Sequence, residues 1–175
     1  MFFVMCLFLP ACKKEHVQPV ITTLTGASGL TYSESLEKWN ALKKVNGNSY
    51  VYQSTVLSRT GAGTNTEIHV ENGVVVMRKF EQFETDSETG SRTRISGYTE
   101  KGSGIGHNER GAPPFTIDEL YATCARDYLI ADIESNTLLF NTDSGGLMTA
   151  CGYIPHGCLD DCFQGLNIYA FGWLD

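Results

Sequence analysis

Residues 67–83, EIHVENGVVVMRKFEQF, decide the fold because they predict a β-hairpin. Runs of β-branched and aromatic residues, which favour strands, flank the dipeptide Asn72-Gly73. An Asn-Gly pair between such runs is the strongest short-range hairpin signal, since both turn residues must adopt positive φ. The sequence therefore predicts an antiparallel pair of strands over 67–71 and 74–83.

Further strands are predicted on both sides of this hairpin. Upstream, residues 50–57 are rich in aromatic and β-branched residues, and 60–65 (TGAGTN) are interpreted as a loop. Downstream, a fourth strand is predicted over 92–98, and three more over 136–141, 147–154 and 166–173. Strands joined by short turns pair antiparallel, so we expect one antiparallel sheet.

Two helices are predicted from capping boxes, in which a Thr and a Glu three residues later satisfy each other's backbone N–H groups. Thr31 and Glu34 begin the first helix, and Thr116 and Glu119 begin the second. One face of the second helix carries Ile117, Leu120, Tyr121, Cys124 and Tyr128. The order helix, three or four strands, helix, three strands predicts an α+β fold with two helices packed on the sheet. This is also the order of the β-lactamase-inhibitor-protein type of architecture.

The N-terminal residues 1–11, MFFVMCLFLPA, are typical of a signal peptide. Their apolar run, 2–9, is shorter than the about 20 residues that a membrane-spanning helix needs. The run ends at Leu9-Pro10-Ala11-Cys12, which resembles a lipobox and implies that Cys12 is lipidated and becomes the mature N-terminus. The alternative is a hydrophobic first strand with Cys6 and Cys12 buried.

The residues after Cys12 bear on location and partners. Lys13 stands where an Asp would retain a lipoprotein at the inner membrane, so the lipobox resemblance implies the outer membrane, on its periplasmic side or at the cell surface. Residues 12–30 are predicted to form the lipidated Cys and a flexible tether, and 31–175 a single domain. The net charge of −7 argues against nucleic acid as a partner, because phosphate binding needs a basic surface.

Most of the predicted domain resembles small secreted domains found in bacterial lipoproteins, for which no activity is established. The resemblance rests on Trp39, on the strand start 50–52, on 68–74 (IHVENGV), on 115–120 (FTIDEL) and on 143–147 (DSGGL). It implies the α+β fold and carries over no catalytic residue or cofactor.

Four cysteines remain once Cys6 leaves with the signal and Cys12 is lipidated: Cys124, Cys151, Cys158 and Cys162. An even number in an oxidising envelope predicts two disulfides, with three pairings open. We favour Cys124 with Cys151, which would tie a helix to a strand, and Cys158 with Cys162, which would close a loop. The alternative is a zinc site from His156, Asp160 and the last two cysteines, but the spacing H-x-C-x₃-C matches no standard site.

No catalytic set, metal site or cofactor is predicted. Cys124 would lie on an apolar helix face, where thiols are inert, and His107 has no partner that the sequence identifies. The glycine- and proline-rich residues 102–114 are expected to form a mobile loop. Asp143 and Asp160-Asp161 are interpreted as solvated turn acids and not as calcium ligands.

The remaining signal is aromatic. Seven aromatic residues alternate along the predicted strands: Tyr50, Tyr52, Phe80, Phe83, Tyr169, Phe171 and Trp173. We expect most of them to be core, and any stripe of them that stays exposed to be a binding surface. We therefore expect a non-catalytic binding or interaction module for a protein or glycan, tethered to the outer membrane. The alternatives are an envelope enzyme, hydrolytic or thiol- or metal-dependent, that uses the 124–162 region or His107, and a purely structural envelope protein.

Overall fold

The computed structural model describes residues 23–160 and 162–174. The signal segment, Cys12, the first part of the predicted tether and Asp161 lie outside these residues. In chain order the elements are α1 (Tyr32–Asn46), β1 (Tyr50–Leu57), β2 (Ala62–Glu71), β3 (Val74–Thr85), β4 (Arg92–Lys101), α2 (Ile117–Thr123), β5 (Asn136–Thr142), β6 (Met148–Pro155), β7 (Gln164–Asn167) and β8 (Ala170–Trp173). None of the helices in the described ranges is long and apolar enough to cross a membrane.

The α+β fold class is confirmed, but the strands form two sheets and not one. The larger sheet has five strands in the order β4-β3-β2-β1-β8, and the smaller has three in the order β5-β6-β7. Every pair of neighbouring strands is antiparallel.

The single-sheet prediction is wrong because the predicted last strand, 166–173, is two strands. The N–H of Ile168 donates to the carbonyl of Thr149 in β6 at 2.7 Å, and the next residue, Tyr169, donates to the carbonyl of Gln53 in β1 at 2.7 Å. One extended segment therefore leaves the smaller sheet and joins the larger one between these two residues.

The β2–β3 hairpin is confirmed, with Asn72 at φ 49° and Gly73 at φ 80°. Its first strand is longer than predicted, because β2 begins at Ala62 and includes most of the predicted loop 60–65. Glycine, threonine and asparagine favour turns locally, but here the segment is paired with β1 on one side and β3 on the other. Hydrogen bonding to both neighbours outweighs the local preference.

Both predicted capping boxes are confirmed. The N–H of Thr31 donates to Glu34 Oε2 at 2.8 Å, and the N–H of Thr116 donates to Glu119 Oε2 at 2.7 Å. In each box the threonine hydroxyl accepts from the backbone N–H of the glutamate. The N-terminal start of each helix is thus defined by a Thr and a Glu that the sequence identifies.

Tyrosine hydroxyls fix α2 against the larger sheet. The N–H of Ile117 donates to Tyr50 Oη at 2.9 Å, and the hydroxyl of Tyr52 donates to the carbonyl of Phe115 at 2.6 Å. Both tyrosines are buried, so their ring burial and their hydrogen bonds position the start of α2 together.

The other side of α2 is fixed to α1 and the smaller sheet. The hydroxyl of Tyr121 lies 2.6 Å from Ser35 Oγ in α1 and accepts from the N–H of Met148 in β6 at 3.0 Å. One turn later, a disulfide joins Cys124 to Cys151 in β6, with 5.7 Å between their Cα atoms. The second helix therefore lies between the two sheets and contacts both.

The predicted aromatic stripe is mostly core. Trp39 is fully buried and stacks on Trp173, with Tyr50 and Phe171 edge-on to it. Tyr169 is the exception at 68% exposed, because it lies where the chain changes sheets.

A buried ion pair lies beneath the loop 102–114. Arg78 Nη1 is 3.0 Å from Glu100 Oε2, and both side chains are almost fully buried. Arg78 also donates to the carbonyls of Asn108 and Ala112 at 3.0 and 2.8 Å. The expected mobile loop is thus fastened to the larger sheet, and no local sequence signal marks the two charged strand residues as inward-facing.

Glu100 accepts further hydrogen bonds from the same loop. The N–H groups of Gly106 and Asn108 donate to its carboxylate at 2.8 and 2.7 Å. Burial raises the pKa of Glu100, but these bonds and those from the Asn108 amide and Arg78 outweigh it and lower the pKa to about 2. Since this lies below the usual 4.5, the ionised carboxylate stabilises the fold at neutral pH, and this stabilisation is lost as the pH falls from about 4.5 towards 2.

We expect Glu100→Gln to lower the free energy of unfolding by about 3–5 kcal/mol at pH 7, because Arg78 would remain buried without its counter-charge. Urea unfolding at pH 7 and pH 3 measures this, and the variant should lose less stability between the two pH values than the parent protein does. The control is Glu81→Gln, which removes more exposed contacts with Lys79 and Arg94 and should cost less than about 1 kcal/mol. Equal losses in the two variants would contradict the prediction.

Candidate binding groove

A groove of about 820 Å³ opens between the two sheets. Residues 54–58 of β1 and its following turn form one wall, together with residues 62–64 and Thr66 of β2. Phe163 and residues 165–167 form the other wall, and the loop residues 111–113 contribute to the lining. We call this the inter-sheet groove. Its volume lies in the range of about 300–1,000 Å³ that is typical of ligand pockets.

No charged side chain contributes to the described lining of the inter-sheet groove. Small hydroxyl and amide groups lie there among apolar ones. The polar contributors are Ser54, Thr55, Ser58, Thr64, Thr66, Gln82 and Asn167, and the apolar side chains include Val56, Leu57, Leu120 and Phe163. A surface of this kind suits an uncharged ligand, since a buried ligand charge would find no partner.

Asn167 joins the two walls at the closed end of the groove. Its Nδ2 donates to the carbonyl of Thr55 at 2.9 Å, and its Oδ1 accepts from the hydroxyl of Ser54 at 2.5 Å. The side chain thus connects the end of β7 to β1 where the extended segment changes sheets. The walls are held together at this point and diverge beyond it.

Phe163 forms the opposite wall because two glycines leave space for its ring. A Cβ added to Gly152 or to Gly165 would lie 2.7 or 2.6 Å from the ring, which is closer than real contacts allow. Phe163 is nevertheless exposed and faces the groove. Packing on the paired strands β6 and β7 therefore fixes an aromatic ring at the site.

Apolar side chains continue from the lining onto the rim. Val56 and Leu57 are 62% and 54% exposed, and Leu159 is 97% exposed. An ion pair between Arg59 and Asp160, 3.7 Å apart, connects the turn after β1 to the loop that carries Leu159. Exposed apolar groups clustered around a cleft are typical of binding surfaces.

The second disulfide lies directly before Phe163. Cys158 and Cys162 are joined to each other, as Cys124 is to Cys151, so both favoured pairings are present. The zinc alternative requires thiolates at 158 and 162, which this bond consumes. Two disulfides indicate an oxidising, extracytoplasmic location.

The other candidate residues do not contribute to the described lining of the groove. His107 is exposed in the loop 102–114, and Asp160 is exposed beside Arg59. The carboxylate of Asp143 accepts from the N–H of Leu147 at 2.9 Å, as a turn acid does. Within the described ranges, no three His, Cys, Asp or Glu side chains come together as a metal ion would require.

The outer face of the larger sheet carries a His–Glu pair that the sequence analysis missed. His69 Nε2 lies 2.9 Å from Glu67 Oε1, and Gln53 donates to Glu67 Oε2 at 2.8 Å. Burial raises the pKa of Glu67, but the hydrogen bonds from His69 and Gln53 outweigh it and lower the pKa. Two residues apart in a strand share a face, and this spacing could have revealed the pair. The contacts are those of a polar ladder on an open sheet face.

Comparisons with protein-family models, with curated proteins and with solved structures give no match to this chain.

We expect the two disulfides to contribute unequally to stability. Replacing Cys124 and Cys151 with Ala should lower the free energy of unfolding by about 3.5 kcal/mol, because that bond closes the longer loop. Replacing Cys158 and Cys162 with Ser should lower it by about 2 kcal/mol. Urea unfolding of the two double variants measures both values, and an inverted order would contradict the prediction.

Proposed function

We propose that this protein is a non-catalytic binding module that holds an uncharged ligand, peptide or glycan, in the inter-sheet groove and is tethered to the outer membrane through Cys12. The observation that carries the proposal is a large cleft without charge in its described lining and with an apolar rim. Such a cleft supplies hydroxyl, amide and apolar contacts, which position a ligand. It supplies no carboxylate or imidazole that would serve as a general acid or base at neutral pH.

The alternative is an envelope enzyme that uses the cysteine region or His107. All four cysteines from Cys124 to Cys162 are paired in disulfides, so none offers a thiolate while the protein is oxidised. His107 is exposed, and no carboxylate of the described chain orients its ring. These observations favour the binding module.

The tether is supported by the lipobox-like sequence at Cys12 and by the oxidising location that two disulfides indicate. Diacylation buries enough apolar chain to anchor a protein stably, at about 0.8 kcal/mol per CH₂. A binding module held in this way would present its groove to the periplasm or the exterior.

Cys12→Ser should abolish incorporation of labelled palmitate and move the protein from the membrane fraction to the soluble fraction. The matched control is Cys6→Ser, which changes a cysteine inside the apolar run and should keep both properties. Metabolic labelling in a Gram-negative host, followed by fractionation, provides the measurement. Palmitate on the Cys12→Ser protein would refute the anchor.

Filling the groove should abolish binding. Thr64 lies on the groove wall, so Thr64→Trp would occupy space that a ligand needs. Thr93→Trp makes the same change on the exposed strand β4 and serves as the control. Both variants and the parent protein are applied to a glycan array and to a displayed library of short uncharged peptides.

We expect to find ligands that bind the parent protein and Thr93→Trp with similar affinity. The same ligands should bind Thr64→Trp at least tenfold more weakly. Unfolding curves of the two variants establish that both are folded. Binding that survives in folded Thr64→Trp, or no binding to either collection, would overturn the groove as the site.

A further inference from the structure

We infer that the ligand of the inter-sheet groove is an extended peptide segment, which binds by adding a β-strand between β1 and β7. The inference rests on the proposed function, because it names the ligand of the same groove. Strand addition would use the backbone of the two walls, whereas binding of an uncharged ligand in general would use their side chains.

The first wall is an unpaired strand edge. β8 pairs with β1 only over residues 50–53, and no other strand of the described chain lies along this edge of 54–57. Gln53 directs its carbonyl towards the β8 side, where Tyr169 donates to it. Since strand residues alternate in direction, the N–H of Thr55 and the N–H and carbonyl groups of Leu57 point to the same side, into the groove. The carbonyl of Thr55 also points to this side, where it accepts from Asn167 Nδ2.

The second wall is another unpaired edge. The N–H of Ile168 points to β6, where it donates to Thr149. By the same alternation Leu166 also faces β6, while the N–H and carbonyl groups of Gly165 point away from it. β7 is the outermost strand of the smaller sheet, so these groups face the groove.

Both faces of the end of β1 are accessible at the groove. Val56 and Leu57 are consecutive, so their side chains lie on opposite faces of the strand. Both contribute to the lining, and they are 62% and 54% exposed.

The two outer edges of the larger sheet differ in chemistry. On β4, the charged residues Arg92, Arg94 and Lys101 disfavour pairing with another chain, as charges on protein edge strands commonly do. Residues 54–58 contain neither a charge nor a proline. The edge at the groove thus lacks the features that prevent strand addition.

The groove also restricts which peptide fits. Side chains that point inward would meet Val56, Leu120 and Phe163, and no lining charge of the described chain would compensate a charged ligand. The part of β1 that extends beyond β8 spans four residues, about 13 Å of extended chain. Asn167 occupies the carbonyl of Thr55 within it, so the open edge begins after that carbonyl. The fitting ligand is an uncharged extended segment with small or apolar side chains at alternate positions.

The test begins with peptides selected from a displayed library of random uncharged heptapeptides on the parent protein. We expect the selected peptides to slow amide hydrogen exchange at Thr55, Leu57 and Gly165. Versions that are N-methylated at alternate backbone positions should bind at least tenfold more weakly, because they lack the donors for strand pairing.

Leu57→Pro tests the edge from the protein side, and Leu57→Ala is its matched control. Both remove the leucine side chain, but only proline removes the N–H that points into the groove, and proline is tolerated at such edge positions. We expect about tenfold weaker peptide binding for Leu57→Pro and no more than about threefold for Leu57→Ala.

The outcomes separate this inference from the proposed function. Binding of glycans alone, or of peptides whose N-methylation has no effect, would overturn strand addition while Thr64→Trp still identifies the groove as the site. Unchanged amide exchange at Thr55 and Leu57 with a bound peptide would overturn it even if Leu57→Pro failed to fold. If no ligand binds in a way that depends on the groove, both strand addition and the proposed function are overturned.

Discussion

The structure depends on one extended segment, 164–173, that hydrogen-bonds first to the smaller sheet and then to the larger one. The change takes place between Ile168, bonded to Thr149, and Tyr169, bonded to Gln53. A strand has two edges, and this segment uses one edge for the smaller sheet and the other edge for the larger sheet. The two sheets therefore meet at Ile168 and Tyr169 and diverge on the N-terminal side of these residues. The inter-sheet groove is the space that this divergence leaves, and Asn167 joins its walls at the vertex.

The separation of the walls depends on parts of the chain that are remote in sequence. The second helix contacts both sheets through the tyrosine hydroxyls, and Cys124, the residue that follows the helix, is bonded to Cys151. The loop at the other side of the groove is held by Arg78 and Glu100, which bond to its backbone. A buried ion pair offers little net stability over an apolar pair, but it has a demanding geometry. Here that geometry determines the path of a thirteen-residue loop, 102–114, that would otherwise have few apolar contacts.

Features set by neighbours in sequence were predicted, and features set by pairing partners were not. The capping boxes at Thr31 and Thr116 and the turn at Asn72-Gly73 require only residues within four positions of one another. The α+β class followed from the order and period of those elements. By contrast, the sequence of residues 166–173 shows one unbroken strand pattern. That pattern would be the same if the segment paired with one sheet or with two. The groove arises from that difference, so no local pattern could reveal it.

The chemistry of the site explains why an open strand edge is tolerable here. An unpaired edge without charges is ordinarily an aggregation hazard, since any other sheet edge can pair with it. In this protein the edge at 54–57 lies inside a groove whose second wall, with Phe163 packed on Gly152 and Gly165, stands opposite. A folded sheet brings its neighbouring strands and both faces with it, whereas a single extended segment needs only the width between the walls. The same divergence that exposes the edge therefore limits what could reach it, and the uncharged lining would disfavour a charged segment.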